Sequence, residues 1–215
     1  MARDDRGQLC FGVWGVVGTT GHWPRVVNIW EEAGFDGLAH ALGHELGRPT
    51  LQDPKLETWW NEAASFRSGG FDRVLVPAPW TRTIDELCTD GVRGSTYAHD
   101  TITLEAGGAD DFLSRVRDMA IGAHQPFGWE LVAAMKTSMR ADSECILIWA
   151  VPDWLQWADV EAAHDTDPGL RAWRDVLRSG RDYERFLMCD APLAPLKLGR
   201  QPERSDRTTD WDEPR

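Results

Sequence analysis

Lysine is scarce in this sequence of 215 residues, where it occurs only at positions 55, 136 and 197, and the other basic residues are arginine. We attribute this bias to GC-rich coding rather than to a requirement for guanidinium groups. Cations are also outnumbered, because 23 Lys and Arg stand against 35 Asp and Glu, which gives a formal charge of −12. Nucleic acids and anionic lipid surfaces are bound by clustered cations. The composition therefore predicts neither nucleic acid nor membrane as a partner.

Cysteine is sparse too, and no pair among the four cysteines has Cys-x-x-Cys spacing, so we predict no disulfide and no metal site. A long hydrophobic run is missing, because glycines interrupt the apolar stretch after the charged N-terminus. A cytoplasmic location is the resulting prediction. The sequence also lacks a Gly-x-Ser-x-Gly elbow, a phosphate-binding loop and a dinucleotide fingerprint, which disfavours serine hydrolases and nucleotide-dependent enzymes.

Tryptophan, by contrast, is abundant, with 12 residues, and four of them belong to an internal repeat. Asn28-Ile-Trp30 matches Leu147-Ile-Trp149, and Asp53-Pro-Lys-Leu-Glu-Thr-Trp59 matches Asp167-Pro-Gly-Leu-Arg-Ala-Trp173 at a constant spacing. Two further matches follow in the same order. Self-similarity of this kind indicates a duplicated structural unit.

Apolar periodicity predicts the order β-α-β-β-α-β for the second unit, which is the ferredoxin-like pattern. Its strands are expected at 96–104, 129–138, 144–150 and 185–189, and its helices at 109–124, 153–164 and 169–178. The first unit has only the later part: a hairpin within 10–30, helices at 35–46 and 54–66, and a strand at 71–76. About seven strands result, and one helix is missing from one side of the sheet.

This order divides the chain into five segments. We expect an N-terminal arm at 1–9, a partial ferredoxin-like repeat at 10–80, a linker at 81–95, a second repeat at 96–196 and a disordered tail at 197–215. The predicted fold class is α+β, with tandem ferredoxin-like repeats, the first incomplete, forming a dimeric α/β-barrel-type domain.

The chain resembles the NIPSNAP-type members of the dimeric α/β-barrel superfamily. The resemblance rests on the segment Tyr97–Leu113, on the hairpin that ends in Leu147-Ile-Trp149, and on Asp167-Pro168 before the last helix. It implies sheets that close into a barrel within or between chains, and a homodimer. The superfamily includes cofactor-free monooxygenases, isomerases, lyases and haem enzymes, so no cofactor is predicted and haem is left open. The absent first strand and helix depart from the family pattern.

Candidate catalytic residues come from the strand predicted at 96–104. Tyr97, His99 and Thr101 alternate onto one face, where a polar row could bind substrate and transfer protons. Asp100 falls on the opposite face and is a poor partner for His99. The same row could instead face solvent, or His99 could be an internal group with satisfied hydrogen bonds. His22, beside Trp23 at the predicted hairpin turn, is a further candidate at the mouth of a binding site.

Tryptophans that recur in both units are predicted to serve packing, whereas others could line a cavity for a flat apolar ligand. The predicted substrate-binding residues are Trp14, Trp60 and Trp129, with Arg67 and Arg140 for an anionic group and Thr101 beside His99. One hypothesis is a cofactor-independent isomerase, lyase, cyclase or monooxygenase acting on a hydrophobic metabolite. The alternative is a non-catalytic protein of the same fold that binds a hydrophobic ligand or serves as an assembly partner.

Overall fold

The computed structural model describes residues 7–47 and 54–207. The strands are β1 (Leu9–Val16), β2 (Val26–Glu31), β3 (Leu75–Pro77), β4 (Thr96–Thr103), β5 (Glu130–Thr137), β6 (Glu144–Val151) and β7 (Asp182–Asp190). The helices are α1 (Gly34–Leu46), α2 (Pro54–Ala64), α3 (Ile84–Thr89), α4 (Ala109–Arg115), α5 (Ile121–His124), α6 (Trp154–Ala163), α7 (Pro168–Arg178) and α8 (Pro195–Leu198). A π-helical turn, Val116–Ala120, joins α4 to α5. None of the described helices is long and apolar enough to cross a membrane.

The strands form one seven-stranded sheet in the order β2-β1-β7-β4-β6-β5-β3, and each neighbouring pair is antiparallel. The sheet curls into a half-barrel, with β2 and β3 as its two edges. The α+β class and the expected number of strands are therefore confirmed. The predicted strand at 71–76 is shifted, because the observed β3 is the three-residue strand Leu75–Pro77.

Alternation along the strands assigns each side chain to one of two sheet faces. We call the face that presents Trp149, Ala98 and Leu187 the Trp149 face. The opposite face, which presents His99, Tyr97 and Ile148, is the His99 face. On the Trp149 face, α4 to α7 pack against β5, β6 and β7. On the His99 face, α3 and α8 pack near β1. Each face thus carries its own apolar core.

Aspartate side chains cap the N-termini of α6 and α7. Asp153 Oδ1 accepts hydrogen bonds from the Leu155 and Gln156 backbone N–H groups, at 2.7 and 3.0 Å. Asp167 Oδ1 accepts from the Leu170 N–H at 2.9 Å. Each cap satisfies donors that the first helical turn leaves unpaired.

Two segments are more ordered than the sequence predicted. The segment 81–95, expected to be a linker, contains α3, which starts with a Thr83 capping box and buries Ile84 and Leu87 completely. Residues 197–207, expected to be part of a disordered tail, pack against the first strand, because the Gln201 amide exchanges hydrogen bonds with the backbone of Cys10. The predictions for 1–6 and 208–215 lie outside the described residues.

The repeated tryptophans do not share one environment, so the packing prediction is wrong for the first half. Trp149 and Trp173 are buried as expected, but Trp30 and Trp59 are 41 % and 42 % exposed. The cause is the incomplete first half of the fold, since β2 lies at a sheet edge and α2 is mostly exposed.

Candidate functional site

His99 lies in the middle of β4 and is almost enclosed, with 8 % of its surface exposed. Its ring stacks on Phe186 of β7, with 4.5 Å between ring centroids and 12° between ring planes. Burial lowers the pKa of His99 to about 4, and the positive charges of Arg73 and Arg25 act in the same direction. Nδ1 is buried and has no hydrogen-bond partner. At neutral pH His99 is therefore an uncharged imidazole with one unused polar atom.

Tyr97 and Trp14 meet at the half-buried carboxyl group of Asp190, which the sequence analysis did not single out. The Tyr97 hydroxyl donates to Asp190 Oδ2 at 2.8 Å and accepts from the Gly94 N–H at 3.2 Å. The rings of Tyr97 and Trp14 lie 5.8 Å apart. The second carboxyl oxygen of Asp190, Oδ1, is buried without a hydrogen-bond partner. These residues form a compact polar cluster within the apolar His99 face.

Burial raises the pKa of Asp190 to about 6, although Tyr97, Lys197 and Trp14 each favour the charged form. An acid with this pKa changes its charge near physiological pH, which is the property required of a general acid or base. The pKa of Tyr97 rises as well, because the ring is buried and faces Asp190. The hydroxyl therefore stays protonated and acts as a donor.

A glycine fixes the position of the Trp14 ring. A Cβ atom at Gly12 would lie 1.8 Å from Cη2 of Trp14, so the indole occupies the space that any other residue at position 12 would fill. At Gly15, on the other face of β1, a Cβ atom would meet nothing within 4 Å. The same strand is thus closely packed on one side and open on the other.

That open side lines a surface cavity of about 520 Å³ that is broadly open to solvent. The residues along its wall come from β1, the start of β2 and the end of β7: Val13, Trp14, Gly15, Val16, Val17, Val26, Cys189, Asp190 and Ala191. Register pairs Gly15 with Val26 and with Cys189, which places these three on the Trp149 face. Trp14 pairs with Asp190, and their side chains point to the opposite face. The cavity therefore presents apolar side chains and lies beside the region that α4 to α7 cover.

Comparison with known proteins gives no assignment. No family model, curated protein or solved structure matches this chain.

A third cluster of polar side chains is buried on the Trp149 face, around Asp100. Arg185 donates two hydrogen bonds to its carboxylate, at 2.6 and 2.9 Å, while Tyr183 and Trp149 each donate one at 3.2 Å. Burial opposes the charged form, but Arg185 outweighs it and lowers the pKa of Asp100. With four donors, the carboxylate has no free lone pair for a substrate. This ion pair is consistent with a structural role.

His124 lies next to this ion pair and is fully buried between two tryptophans. Its ring stacks on Trp149 at 4.4 Å and approaches Trp129 at 5.2 Å. Nδ1 lies 2.8 Å from the Ala120 carbonyl oxygen, at the end of the π-helical turn, and Nε2 has no partner. Burial lowers the pKa of His124 to about 4, so the ring is neutral. Within residues 7–47 and 54–207, no three His, Cys, Asp or Glu side chains are grouped to hold a metal.

The residues predicted to form one site lie in several places. Tyr97, His99 and Thr101 share the His99 face, and Trp14 joins Tyr97 there. The other predicted site residues are separate from them. Trp129 packs on the Trp149 face. The Trp60 ring, in α2, lies 5.1 Å from the guanidinium carbon of Arg67, which follows that helix. Arg140 lies in the β5–β6 turn, and His22 is exposed between β1 and β2.

Sequence reasoning missed Asp190 and the partner of Asp100. The sequence did contain a signal for the partner of Asp100, because a negative charge on an otherwise apolar strand face requires a cation beside it. Arg185 is such a cation, since it lies two residues before Leu187 on the same face of the last strand. No comparable signal marked Asp190, since it is the last residue of its strand and its surroundings depend on Tyr97 and Trp14 from two other strands.

Proposed function

We propose that this protein binds a small apolar molecule, or the apolar part of a larger one, in the cavity beside Gly15. The observation that carries the proposal is the apolar wall formed by Val13, Val17 and Val26 around a glycine that leaves its side-chain volume empty. A cavity of about 520 Å³ has the size of a small-molecule site. Burial of apolar ligand surface would supply most of the affinity.

The surrounding chemistry favours binding without turnover. The imidazoles of His99 and His124 are buried and neutral, and the carboxylate of Asp100 is fully hydrogen-bonded. The side chains that line the cavity, Val13, Val17, Val26 and Cys189, include no carboxylate or imidazole, because the Asp190 side chain points to the other face of the sheet. An apolar ligand is therefore held next to no carboxylate or imidazole.

The test replaces Gly15 by Leu, which extends a side chain into the cavity from a Cβ position that meets no atom within 4 Å. Binding of 2-methylnaphthalene, followed by calorimetry, is expected for the wild type and is expected to be lost in Gly15→Leu. A matched control is Gly122→Leu, because Gly122 is exposed on α5 and its added Cβ also meets nothing within 4 Å. Equal binding by wild type and Gly15→Leu would contradict the proposal.

One observation favours a second candidate, a cofactor-independent enzyme that transfers a proton. Asp190, with its pKa raised to about 6 by burial, has a free buried oxygen and the Tyr97 hydroxyl beside it. A substrate acid or base brought to Oδ1 could exchange a proton there. His99 stays a predicted catalytic residue in this proposal. It lies two residues after Tyr97, on the same face of β4.

This candidate predicts that Asp190→Asn abolishes turnover while Asp182→Asn, at the exposed start of the same strand, does not. The measurement is solvent deuterium incorporation into a panel of aromatic ketones, analysed by mass spectrometry. Incorporation that is equal in wild type and Asp190→Asn would eliminate Asp190 from the chemistry.

We also propose that the chain is a duplicated unit of the NIPSNAP type that forms a homodimer. Support comes from the order of elements, because β1-β2-α1-α2-β3 in the first half corresponds to β5-β6-α6-α7-β7 in the second. The two open edges, β2 and β3, offer unpaired backbone to a second copy. Light scattering tests the dimer, since a mass near 24.2 kDa would contradict it. The cytoplasmic location stays a prediction.

A further inference from the structure

Strand β2 is an open edge of the sheet that carries no feature to block pairing with another strand. Residues 26–30 read Val-Val-Asn-Ile-Trp, without a charge, a proline or a glycine. β-branched and aromatic residues favour strands, and an exposed edge of this composition pairs readily. The other edge, β3, has three residues and ends in Pro77, which has no N–H to donate. Of the two edges, β2 is therefore the better suited to binding a further strand.

The backbone of β2 presents its free hydrogen-bonding groups at alternate residues. The Arg25 carbonyl accepts a hydrogen bond of 2.9 Å from the Val16 N–H, so the backbone at position 25 faces β1. Alternation then turns the N–H and carbonyl groups of Val26, Asn28 and Trp30 away from the sheet. The side chains of these three residues are exposed, by 59 % for Val26 and 41 % for Trp30. A strand laid along this edge would find both hydrogen-bonding groups and apolar surface.

Strand β2 is also complementary to itself in the antiparallel direction. When two copies meet with Asn28 opposite Asn28, Val26 lies opposite the partner's Trp30 on the Trp149 face. On the His99 face, Val27 lies opposite the partner's Ile29. Aromatic and β-branched residues that face each other across two strands stabilise the pair. A two-fold axis at Asn28 repeats each of these contacts, as in most symmetric dimers.

The charges that flank β2 complete this pattern. The Arg25 guanidinium has no hydrogen bond or ion pair with any residue in the described part of the chain. Glu31 accepts a hydrogen bond of 2.9 Å from the Ile84 N–H. Burial raises the pKa of Glu31, and the negative charges of Asp85 and Glu86 act in the same direction, so a cation beside its carboxylate would be favourable. Antiparallel pairing about Asn28 places Arg25 opposite the partner's Glu31, and Glu31 opposite the partner's Arg25.

We propose that two copies of this chain pair through β2, antiparallel about a two-fold axis at Asn28, so that their seven-stranded sheets become one continuous sheet. The inference rests on the homodimer proposed above and names its interface. A second copy is the partner because the apolar residues and the charges of the strand match those of the strand itself. The overall charge of −12 opposes association at long range, but residues 25–31 carry one positive and one negative charge and add nothing to that repulsion.

Two substitutions test the interface by light scattering over a series of protein concentrations. Asn28→Pro removes the outward N–H at the axis without removing a hydrogen bond to β1, and is expected to raise the dissociation constant of the dimer about tenfold or more. Asn28→Thr keeps that N–H and is the matched control. Arg25→Glu places like charges opposite each other at both ends of the paired strands, with an expected increase of about tenfold. Arg25→Lys keeps the charge and should leave the dimer intact.

Cross-linking tests the register of the two strands. Residues that exchange hydrogen bonds across an antiparallel pair have Cα atoms about 5.5 Å apart, which a disulfide can span. Under mild oxidation, Asn28→Cys is therefore expected to give a reducible species of twice 24.2 kDa on a non-reducing gel. Asn61→Cys, at an exposed asparagine of α2, is the matched control and should give no more of this species than the wild type does.

The outcomes separate the interface from the homodimer itself. A wild-type mass near 24.2 kDa at all concentrations would overturn both. A wild-type dimer that Asn28→Pro and Arg25→Glu leave unchanged would overturn only the β2 interface, and the homodimer would then form through another surface. Equal cross-linking of Asn28→Cys and Asn61→Cys would also overturn the β2 interface. Should Asn28→Pro fail to fold by circular dichroism, Arg25→Glu and the cross-linking decide.

Discussion

Replacing Asp190 by Asn is expected to stabilise the protein near neutral pH and to have little effect in acid. Asp190 is half-buried, its Oδ1 atom is buried without a hydrogen-bond partner, and its pKa in the folded protein is about 6, compared with an ordinary value of 3.8. The folded state therefore binds this proton more tightly than the unfolded chain does. An asparagine keeps the acceptor for the Tyr97 hydroxyl, 2.8 Å away, and carries no charge.

The sign and size of this change in stability follow from proton linkage. Stability contributed by a raised carboxyl pKa is fully present below the unfolded value and is lost as pH rises through the folded value. The difference between 3.8 and about 6 corresponds to about 3 kcal/mol of unfolding free energy. Ionisation of Asp190 thus destabilises the wild type by up to that amount at neutral pH, and Asp190→Asn removes the penalty.

The assay is urea unfolding followed by tryptophan fluorescence, at about pH 4 and about pH 8, for both proteins. The variant's advantage should be near zero in acid and on the order of 1–3 kcal/mol at the higher pH. Asp182→Asn, at the exposed end of the same strand, should show no such pH-dependent gain. A stability difference between Asp190→Asn and wild type that does not change with pH would refute the reasoning.

Further substitutions test the packing around Trp14 and the buried ion pair. Gly12→Ala should destabilise the protein by roughly 1–3 kcal/mol in urea unfolding, because the new methyl group collides with the Trp14 ring, whereas Gly15→Ala on the open face should cost far less. Asp100→Ala should cost on the order of 3–5 kcal/mol, because it leaves the buried charge of Arg185 unpaired, and a loss below about 1 kcal/mol would contradict the structural role of this ion pair.

Elements with a strong local signal could be predicted from the sequence. Helix α7 follows an aspartate cap and a proline, and its apolar residues Leu170, Trp173 and Leu177 recur at helical spacing on the buried side. Strand β4 alternates clearly, so the placement of His99 and Asp100 on opposite faces was predictable. In both cases the information lies within about ten neighbouring residues.

Helix α3 was not predictable in the same way. It has six residues, too few to form a stable helix alone, and it depends on burying Ile84 and Leu87 against strands distant in sequence. The raised pKa of Asp190 could not be predicted from the sequence either. It depends on Tyr97, from a strand 93 residues earlier, and on burial within the His99 face.

The end of β7 decides between the two functional candidates. Met188 and Asp190 point to the His99 face, while Cys189 and Ala191 line the cavity on the other side. A ligand in the cavity therefore cannot reach Asp190 Oδ1 unless the end of the strand moves. Binding without turnover needs no such movement, and it predicts that Asp190→Asn leaves the affinity for 2-methylnaphthalene in calorimetry unchanged. A much weaker affinity in Asp190→Asn would mean that the cavity and the carboxyl group act as one site, which is what the proton-transfer enzyme requires.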